Sequence, residues 1–359
     1  MIDILLQTLE LYPLLFFGVV ISEVGLILLA IRFMSKSLIN RYDEIQKIHH
    51  GQTSRLGGFC IFIALFIGFM NQPFFFEKQM IYSLFFCFLP ILLITIFEDM
   101  YIHTKPLYRM LAMALASFLL LFTTLHSLPE LSLPFIGPLL NETYILTIFY
   151  AIALIGLMNG MNFIDGANGL LTMTLLSSFF GLGLIAYCIN DHEFLLIILF
   201  FSIPLFIFLL FNYPWGKIFM GDVGAYWFGW VAGTINISFF SRHEELLTWS
   251  VPLLLFYPAM EVFFSFLRKI SQKKSPFHPD DRHLHLIVFF LLNGVFKNQP
   301  RRANNFVMPF LTFFWLTPPL LAALFYQNLN MTLLSLGCLI IIYFLLYRVI
   351  PKKSDYILD

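Results

Sequence analysis

A short polar stretch lies between two long apolar runs at residues 159–169. Its sequence, Asn-Gly-Met-Asn-Phe-Ile-Asp-Gly-Ala-Asn-Gly, brings amide side chains, a carboxylate and three glycines together within eleven residues. A helix embedded in lipid has no need of such a set. A carboxylate beside flexible backbone is what binding of a metal ion and a phosphorylated ligand requires. The stretch therefore predicts a binding site at the end of a membrane helix.

Four further polar clusters separate apolar runs. They contain acids but no set of thiolates, which favours Mg²⁺ (with Mn²⁺ as the alternative) held by oxygen ligands and bridged to substrate phosphates. Basic side chains would bind the phosphate oxygens, and helix starts just after Asp165 and Asp222 would offer backbone N–H groups. The clusters comprise Lys47 to Gly58; Glu98 and Asp99 with Lys105 and Arg109; Asn212 to Gly224, including Phe219 and Asp222; and Ser275 to His285, including Arg282 and His283.

Each cluster also has a purely structural interpretation. Glu98 and Asp99 are also compatible with a solvated helix end, although adjacent acids repel each other unless a cation or substrate needs them. Asp165 is compatible with a cap on the helix that begins near Gly169, and Asp222 with an N-cap in a turn. His283 and His285 are compatible with an ordinary loop.

The composition is that of a polytopic membrane protein. Of the 359 residues, 59% are hydrophobic and 12% are charged, about half the charged fraction of a soluble protein. The formal net charge is zero, so nothing points to a nucleic-acid partner. The four cysteines lie within apolar runs, without the spacing of a metal or redox motif, and we predict inert core thiols. The N-terminal segment lacks the basic flank of a cleavable signal peptide.

The apolar runs predict an all-α membrane protein with about eleven transmembrane helices in one domain, residues 1–359. Leu284 to Phe296 is apolar but too short to span, so we predict an interfacial helix there. Glu23 and Glu261 interrupt apolar runs and are expected to face the bundle interior. The predicted spans are 11–34, 56–74, 80–97, 107–127, 143–160, 169–189, 194–211, 223–240, 247–267, 305–326 and 331–350.

Lysine and arginine residues predict the orientation. With the N-terminus outside, 19 of them fall on one side of the membrane and only Lys78 and Arg242 on the other. The positive-inside rule assigns the larger set to the cytoplasm. All five polar clusters then lie on the cytoplasmic face, which predicts a cytoplasmic active site, a periplasmic N-terminus and a cytoplasmic C-terminus.

From about Lys47 to His285, these motifs resemble those of the polyprenyl-phosphate N-acetylhexosamine-1-phosphate transferases, and they occur in that superfamily's order. The resemblance implies an Mg²⁺-dependent enzyme of the bacterial inner membrane. Undecaprenyl phosphate would attack the β-phosphorus of a UDP-activated N-acetylated sugar, releasing UMP and leaving a lipid-diphosphate sugar. The lipid bilayer and both substrates are the implied partners, with a homodimer as a further expectation.

The resemblance also implies roles for individual residues. Asp222 matches the metal-binding Asp, and Asn162 matches the Asn of the central motif that sits beside the metal. Asp99 would position or deprotonate the lipid phosphate, with Glu98 as its acidic neighbour, and Phe219 would stack on uracil. The remaining expected site residues are Asp165 and His283, which we group with the catalytic residues, and the substrate-binding residues Lys47, Lys105, Gly166, Asn168, Asn212, Arg282 and His285.

Three positions depart from the superfamily pattern. Glu98 replaces the first of two paired Asp residues, Asn168 replaces a second Asp of the central motif, and Leu286 replaces the last His of the histidine loop. The consecutive His triplet of the peptidoglycan translocase is absent. We therefore favour the branch that initiates O-antigen or other surface polysaccharides.

Two other functional classes stay open at this point. A secondary transporter would carry its ionisable groups near mid-membrane in broken helices, whereas here they lie at span ends. A catalytically inactive scaffold of a polysaccharide assembly complex is compatible with Asn168 and Leu286, although Asp99, Asp165 and Asp222 are all retained. The sequence leaves the identity of the sugar open.

Overall fold

The computed structural model describes residues 13–33, 53–71, 78–100, 105–123, 128–131, 137–273 and 282–350. The regular secondary structure in these ranges is helical, apart from one isolated bridge between Ser54 and Ile218. In chain order the helices are α1 (Pro13–Phe33), α2 (Gly57–Asn71), α3 (Lys78–Met100), α4 (Pro106–Thr123), α5 (Gly137–Leu140), α6 (Thr143–Ile164), α7 (Leu170–Cys188), α8 (His192–Asn212), α9 (Gly221–Arg242), α10 (Ser250–Leu254), α11 (Phe256–Ser271), α12 (Leu284–Val295), α13 (Pro300–Phe310), α14 (Thr312–Phe325) and α15 (Leu329–Val349).

The protein is an all-α polytopic membrane protein, as predicted. Each of the eleven predicted spans overlaps a helix or two consecutive helices. Seven helical stretches in the described part of the chain are both long and apolar enough to cross a bilayer, with α13 and α14 counted as one. The total of eleven crossings stays a prediction.

Two predicted elements differ from the structure in detail. The span 247–267 is two helices, because the chain breaks at Leu255, between α10 and α11. The predicted interfacial helix exists as α12, but most of its residues are buried and it packs against α13. The protein, rather than a lipid surface, covers much of its apolar side.

Helix α9 is the centre of the bundle. Every residue from Val223 to Phe240 is buried, and the helix packs against α2, α3, α6 and α7. Trp227 lies among the rings of Phe62, Phe85 and Phe88, at centroid distances of 4.8–5.0 Å. A helix covered on all sides is fixed in position, so groups at its two ends are held rigidly.

The buried acids agree with the prediction, whereas the cysteines agree only in part. Glu23 and Glu261 are both buried inside the bundle. Cys60 and Cys87 are buried thiols, but Cys188 and Cys338 are exposed on the outside of the helices, so the prediction of four core thiols was wrong for these two. An apolar run does not reveal which of its faces packs against protein.

Candidate active site

The residues just before α9 are joined by backbone hydrogen bonds to the start of α2 and to the segment that precedes it. The N–H of Phe219 donates to the carbonyl of Ser54 at 2.9 Å, and the N–H groups of Gly57 and Gly58 donate to the carbonyls of Phe219 and Met220 at 2.9 and 2.8 Å. Two loops that are distant in sequence thereby become one surface.

Gly221 is required at this junction. Its φ angle is +74°, in the region that favours glycine. A Cβ atom at this position would lie 1.9 Å from the carbonyl oxygen of Arg55. The absence of a side chain therefore lets the Arg55 backbone approach the start of α9 and sets the position of the next residue, Asp222.

Asp222 lies between two arginines that come from different parts of the chain. Its Oδ1 is 3.2 Å from Nη2 of Arg55, and its Oδ2 is 3.8 Å from Nη1 of Arg109. Arg109 also lies 3.6 Å from Glu98 and donates a 3.3 Å hydrogen bond to the hydroxyl of Tyr226. The Asp222 side chain is 29% exposed, so a ligand can reach it.

Asp165 belongs to the same cluster. Its Oδ2 accepts a 3.1 Å hydrogen bond from the N–H of Gly221. Withdrawal from water raises its pKa to about 7, with a further rise from the charge of Asp222, while Arg55 and the Gly221 N–H act in the opposite direction. The two predicted carboxylates are thus close enough to affect each other's charge.

The structure shows that neither Asp165 nor Asp222 is the N-cap residue of a helix. Asp165 does not cap α7, because that helix begins at Leu170 with Gly169 as its N-cap and no side-chain capping bond. Asp222 lies in the first turn of α9 rather than at its N-cap, which is Met220. The expectation that helices start just after both acids was therefore wrong. Asp165 instead binds the first N–H of α9, which an anion at a helix N-terminus is suited to do.

Two predicted amides are occupied by bonds within the protein. Asn212 is buried; it accepts from the N–H of Gly169 at 2.6 Å and donates to the carbonyl of Ile218 at 2.8 Å. Asn168 is also buried, and its Nδ2 donates to Asn305 and to the carbonyl of Pro214 at 2.8 and 3.2 Å. These contacts hold the 165–169 and 212–218 segments together, and a substrate role for either amide stays a prediction.

The histidine loop packs against the same polar stretch. The centroid of the His283 ring lies 4.6 Å from that of the Phe163 ring and 5.9 Å from that of the His285 ring. A Cβ atom on Gly166 would lie 2.7 Å from Nε2 of His285, so this glycine lets the ring approach the Asp165 segment. Burial lowers the pKa of His285 to about 3, which makes it a neutral ring at physiological pH.

The other predicted site residues are less closely connected to Asp222. Asn162 and Phe219 are half-buried and Lys105 is exposed. Arg282 lines a cavity of about 360 Å³ between α11 and α15, together with Arg268 and Tyr347. Asp99 lies in α3, but its side chain is outside the described part of the structure, and Lys47 lies outside the described residues altogether.

Several site residues were missed or not assigned by sequence reasoning. Arg55 and Arg109 were recognised only as members of polar clusters, and Tyr226, Asn304 and Asn305 were not considered. The N–H of Asn168 donates to Asn304 at 2.7 Å, which connects the site to α13, 136 residues further along the chain. The sequence feature that could have identified Asn304 and Asn305 is the polar stretch 301–305, Arg-Arg-Ala-Asn-Asn, at the start of an apolar run.

The donors at this site suit a hard cation that also binds its substrate. Within the described ranges, no three His, Cys, Asp or Glu side chains are grouped so as to hold a metal ion by themselves. The carboxylates present are Glu98, Asp165 and Asp222, all oxygen donors. Magnesium is commonly held by one or two carboxylates together with substrate phosphates, so this set fits Mg²⁺ when a phosphorylated ligand is bound.

Comparison with known proteins gives a consistent result. Residues 81–240 match the family described as Glycosyl transferase family 4. An undecaprenyl-phosphate alpha-N-acetylglucosaminyl 1-phosphate transferase of Thermotoga maritima is 28% identical over 253 residues, covering 70% of this chain and 74% of the relative. A probable undecaprenyl-phosphate N-acetylglucosaminyl 1-phosphate transferase of Bacillus subtilis is 25% identical over 250 residues, covering 67% and 66%.

A shorter match involves a different kind of transferase. A phospho-N-acetylmuramoyl-pentapeptide-transferase of Streptococcus pneumoniae is 36% identical over 99 residues, which cover 27% of this chain and 29% of the relative.

The helical bundle, with a cluster of carboxylates and arginines at one end, defines a polytopic membrane protein with a polar site at the ends of its helices. The family match and the relatives bear out the resemblance of this chain to the polyprenyl-phosphate N-acetylhexosamine-1-phosphate transferase superfamily.

Proposed function

We propose that this protein transfers an N-acetylated sugar 1-phosphate from a UDP-sugar to undecaprenyl phosphate in the bacterial inner membrane, with the site facing the cytoplasm. A lipid-phosphate oxygen would form a bond to the β-phosphorus of the UDP-sugar. The bond from that phosphorus to the oxygen bridging it to the α-phosphorus would break, and UMP would leave with the bridging oxygen. The product is the lipid-diphosphate sugar that would initiate O-antigen or another surface polysaccharide.

The observation that carries this proposal is the cluster of Asp165, Asp222, Arg55 and Arg109 around the start of α9. Phosphoryl transfer needs mainly positioning and neutralisation of negative charge. Two guanidinium groups lie within 3.8 Å of Asp222 and are suited to bind phosphate oxygens. The N–H of Gly221 and the partly exposed carboxylate of Asp222 lie beside them.

The carboxylates of Asp222 and Asp165, with the amide oxygen of Asn162, would hold Mg²⁺. When bound, the ion would supply positive charge to the diphosphate oxygens. Arg109, which contacts Glu98 and Asp222, connects the start of α9 to the end of α3, where Asp99 lies. We therefore assign Asp99 to the lipid phosphate, whose proton it would accept if that phosphate arrives protonated.

N-acetylglucosamine is the first sugar to test. Both relatives that match about two thirds of this chain are named as N-acetylglucosaminyl transferases. The pentapeptide-transferase match covers only 27% of this chain. This difference supports the branch that initiates surface polysaccharides over the peptidoglycan translocase.

The direct experiment measures release of UMP by the purified full-length protein with undecaprenyl phosphate, Mg²⁺ and a panel of UDP-sugars. We expect turnover with UDP-N-acetylglucosamine, loss of turnover with EDTA and recovery when Mg²⁺ or Mn²⁺ is restored. Turnover unaffected by EDTA would remove the metal from the proposal. If no donor reacts and UDP and Mg²⁺ do not bind, the scaffold interpretation replaces the enzyme.

A further inference from the structure

Glu261 is a buried carboxylate in α11 with two specific partners. Its Oε2 lies 3.0 Å from Nδ1 of His283, and its Oε1 accepts a 3.0 Å hydrogen bond from the N–H of Leu284. The side chains of Glu261 and His283 are 2% and 3% exposed. Both carboxylate oxygens are therefore directed at the histidine loop.

The second of these bonds secures the start of α12. His283 is the N-cap residue of this helix, and its own side chain makes no capping bond. The first N–H groups of a helix lack partners within it and favour a negative charge. Glu261 supplies that charge from a different helix, so the direction in which α12 begins depends on α11.

The first bond fixes the ring of His283. A carboxylate accepts hydrogen bonds, so the neutral ring carries its proton on Nδ1 and not on Nε2. Phe163 packs against the same ring, and His285 stacks beside it over Gly166. The ring is thus held from one side by Glu261 and from the other by the stretch that contains Asp165.

Glu23 shows that a buried carboxylate in this bundle need not have such contacts. It is fully buried in α1, and within the described residues neither of its oxygens has a hydrogen-bond partner. The two acids share residue type and burial, but only Glu261 contacts a predicted site residue. Glu23 is therefore a matched control.

We propose that Glu261 is a positioning residue for the reaction: it holds Nδ1 of His283 and the start of α12, and thereby keeps the histidine loop packed against the stretch that contains Asp165. This inference rests on the proposed function. It adds a residue within a predicted membrane span to a site otherwise built from the ends of helices.

The variant Glu261→Gln tests this role with little change in shape. Its amide oxygen can still accept from the Leu284 N–H, whereas its NH₂ group facing His283 requires Nδ1 to lose its proton. We expect kcat for UMP release to fall by about 10- to 100-fold, the range seen when the outer partner of a ligating histidine is removed. Glu23→Gln should keep wild-type kcat, and an equal loss in both variants would overturn the proposal.

A double-mutant cycle separates positioning from general stability. In a His283→Ala background, Glu261→Gln should cost less than about twofold in kcat, because residues that act through one another are not additive. If the two losses multiply instead, Glu261 does not act through His283.

A measurement without turnover distinguishes failure of this proposal from failure of the proposed function. In ¹⁵N-histidine-labelled full-length protein, the His283 signals are assigned by their loss in His283→Ala. We expect a protonated Nδ1 in the wild type and in Glu23→Gln, and a proton moved to Nε2 in Glu261→Gln. Unchanged His283 signals in Glu261→Gln would overturn the role of Glu261, even if no UDP-sugar reacts.

Discussion

Helix α9 carries charged residues at both ends, and the two groups use their carboxylates differently. At the Arg242 end, the carboxylate of Asp191 accepts hydrogen bonds from the N–H of Phe194 at 3.0 Å and from Nε2 of His243 at 2.8 Å. The same carboxylate lies 3.4 Å from Nε of Arg242. At the Gly221 end, Asp222 lies 3.2 Å and 3.8 Å from two guanidinium groups. The side chain of Asp191 is 5% exposed, whereas that of Asp222 is 29% exposed.

This difference shows why similar residues give a cap at one end and a candidate site at the other. Asp191 satisfies a helix terminus and is enclosed by its partners, so its bonds stabilise the fold. Asp165, and not Asp222, accepts from the first N–H of α9, and the partly exposed oxygens of Asp222 lie beside the guanidinium groups of Arg55 and Arg109. A metal ion or a phosphate can take over those contacts without exposing a helix end.

The largest expected effect is on turnover at the Gly221 end. Asp222→Ala should lower UMP release by about 1,000-fold or more, because charge stabilisation by a bound metal contributes several kcal/mol. Asp191→Ala should retain turnover when assayed below its own melting temperature. Near-normal activity of Asp222→Ala would remove this residue from the metal site.

The second prediction concerns Gly221, whose backbone conformation sets the position of Asp222. Gly221→Ala should destabilise the protein by more than the roughly 1–2 kcal/mol cost of a left-handed backbone at a non-glycine residue, because the Arg55 carbonyl must also move. A lower midpoint of thermal unfolding in detergent would show this. Gly337→Ala is the control, since a Cβ there meets nothing within 4 Å, and an equal shift in both variants would contradict the argument.

A smaller effect is expected at the Arg242 end. Asp191→Ala removes a helix cap and leaves Arg242 and His243 without this carboxylate, which should cost about 1–2 kcal/mol of unfolding free energy. Arg242→Ala should cost less than Asp191→Ala, because the ion pair of Arg242 with Glu193 is exposed and Asp191 keeps its bonds to the Phe194 N–H and to His243. If Asp191→Ala instead reduced kcat without lowering the melting temperature, the two ends would not differ as described.

The last prediction concerns the pH dependence of stability. The pKa of Asp165 is raised to about 7 in the folded protein, so the folded state binds its proton more tightly than the unfolded state. This contribution to stability is complete below the ordinary pKa near 4 and is lost as the pH rises to about 7. In EDTA, the melting temperature of the wild type should fall relative to that of Asp165→Asn between pH 5 and 7. The same pH dependence of the melting temperature in both proteins would contradict the raised pKa of Asp165.

The amino-acid sequence was sufficient to predict the membrane class and the approximate helices. Hydropathy and length decide a membrane span within one local segment, because lipid requires every backbone group of that segment to be satisfied internally. Asp165 and Asp222 were likewise recognisable locally, because carboxylates and glycines at the end of an apolar run are costly without a function. Gly221, the residue before Asp222, donates a hydrogen bond to Asp165, which lies 56 residues earlier in the chain.

Only the tertiary structure decided which residues surround these acids. Arg55 is 167 residues from Asp222, and nothing in either local sequence specifies their pairing. Glu261 was predicted to be buried, but its partner His283 becomes apparent only when α11 and the start of α12 are packed together. Local periodicity reports which segments form helices. Side-chain partners depend on how separate helices approach, and here that approach is set by the burial of α9 and by Gly221, where a side chain would block contact.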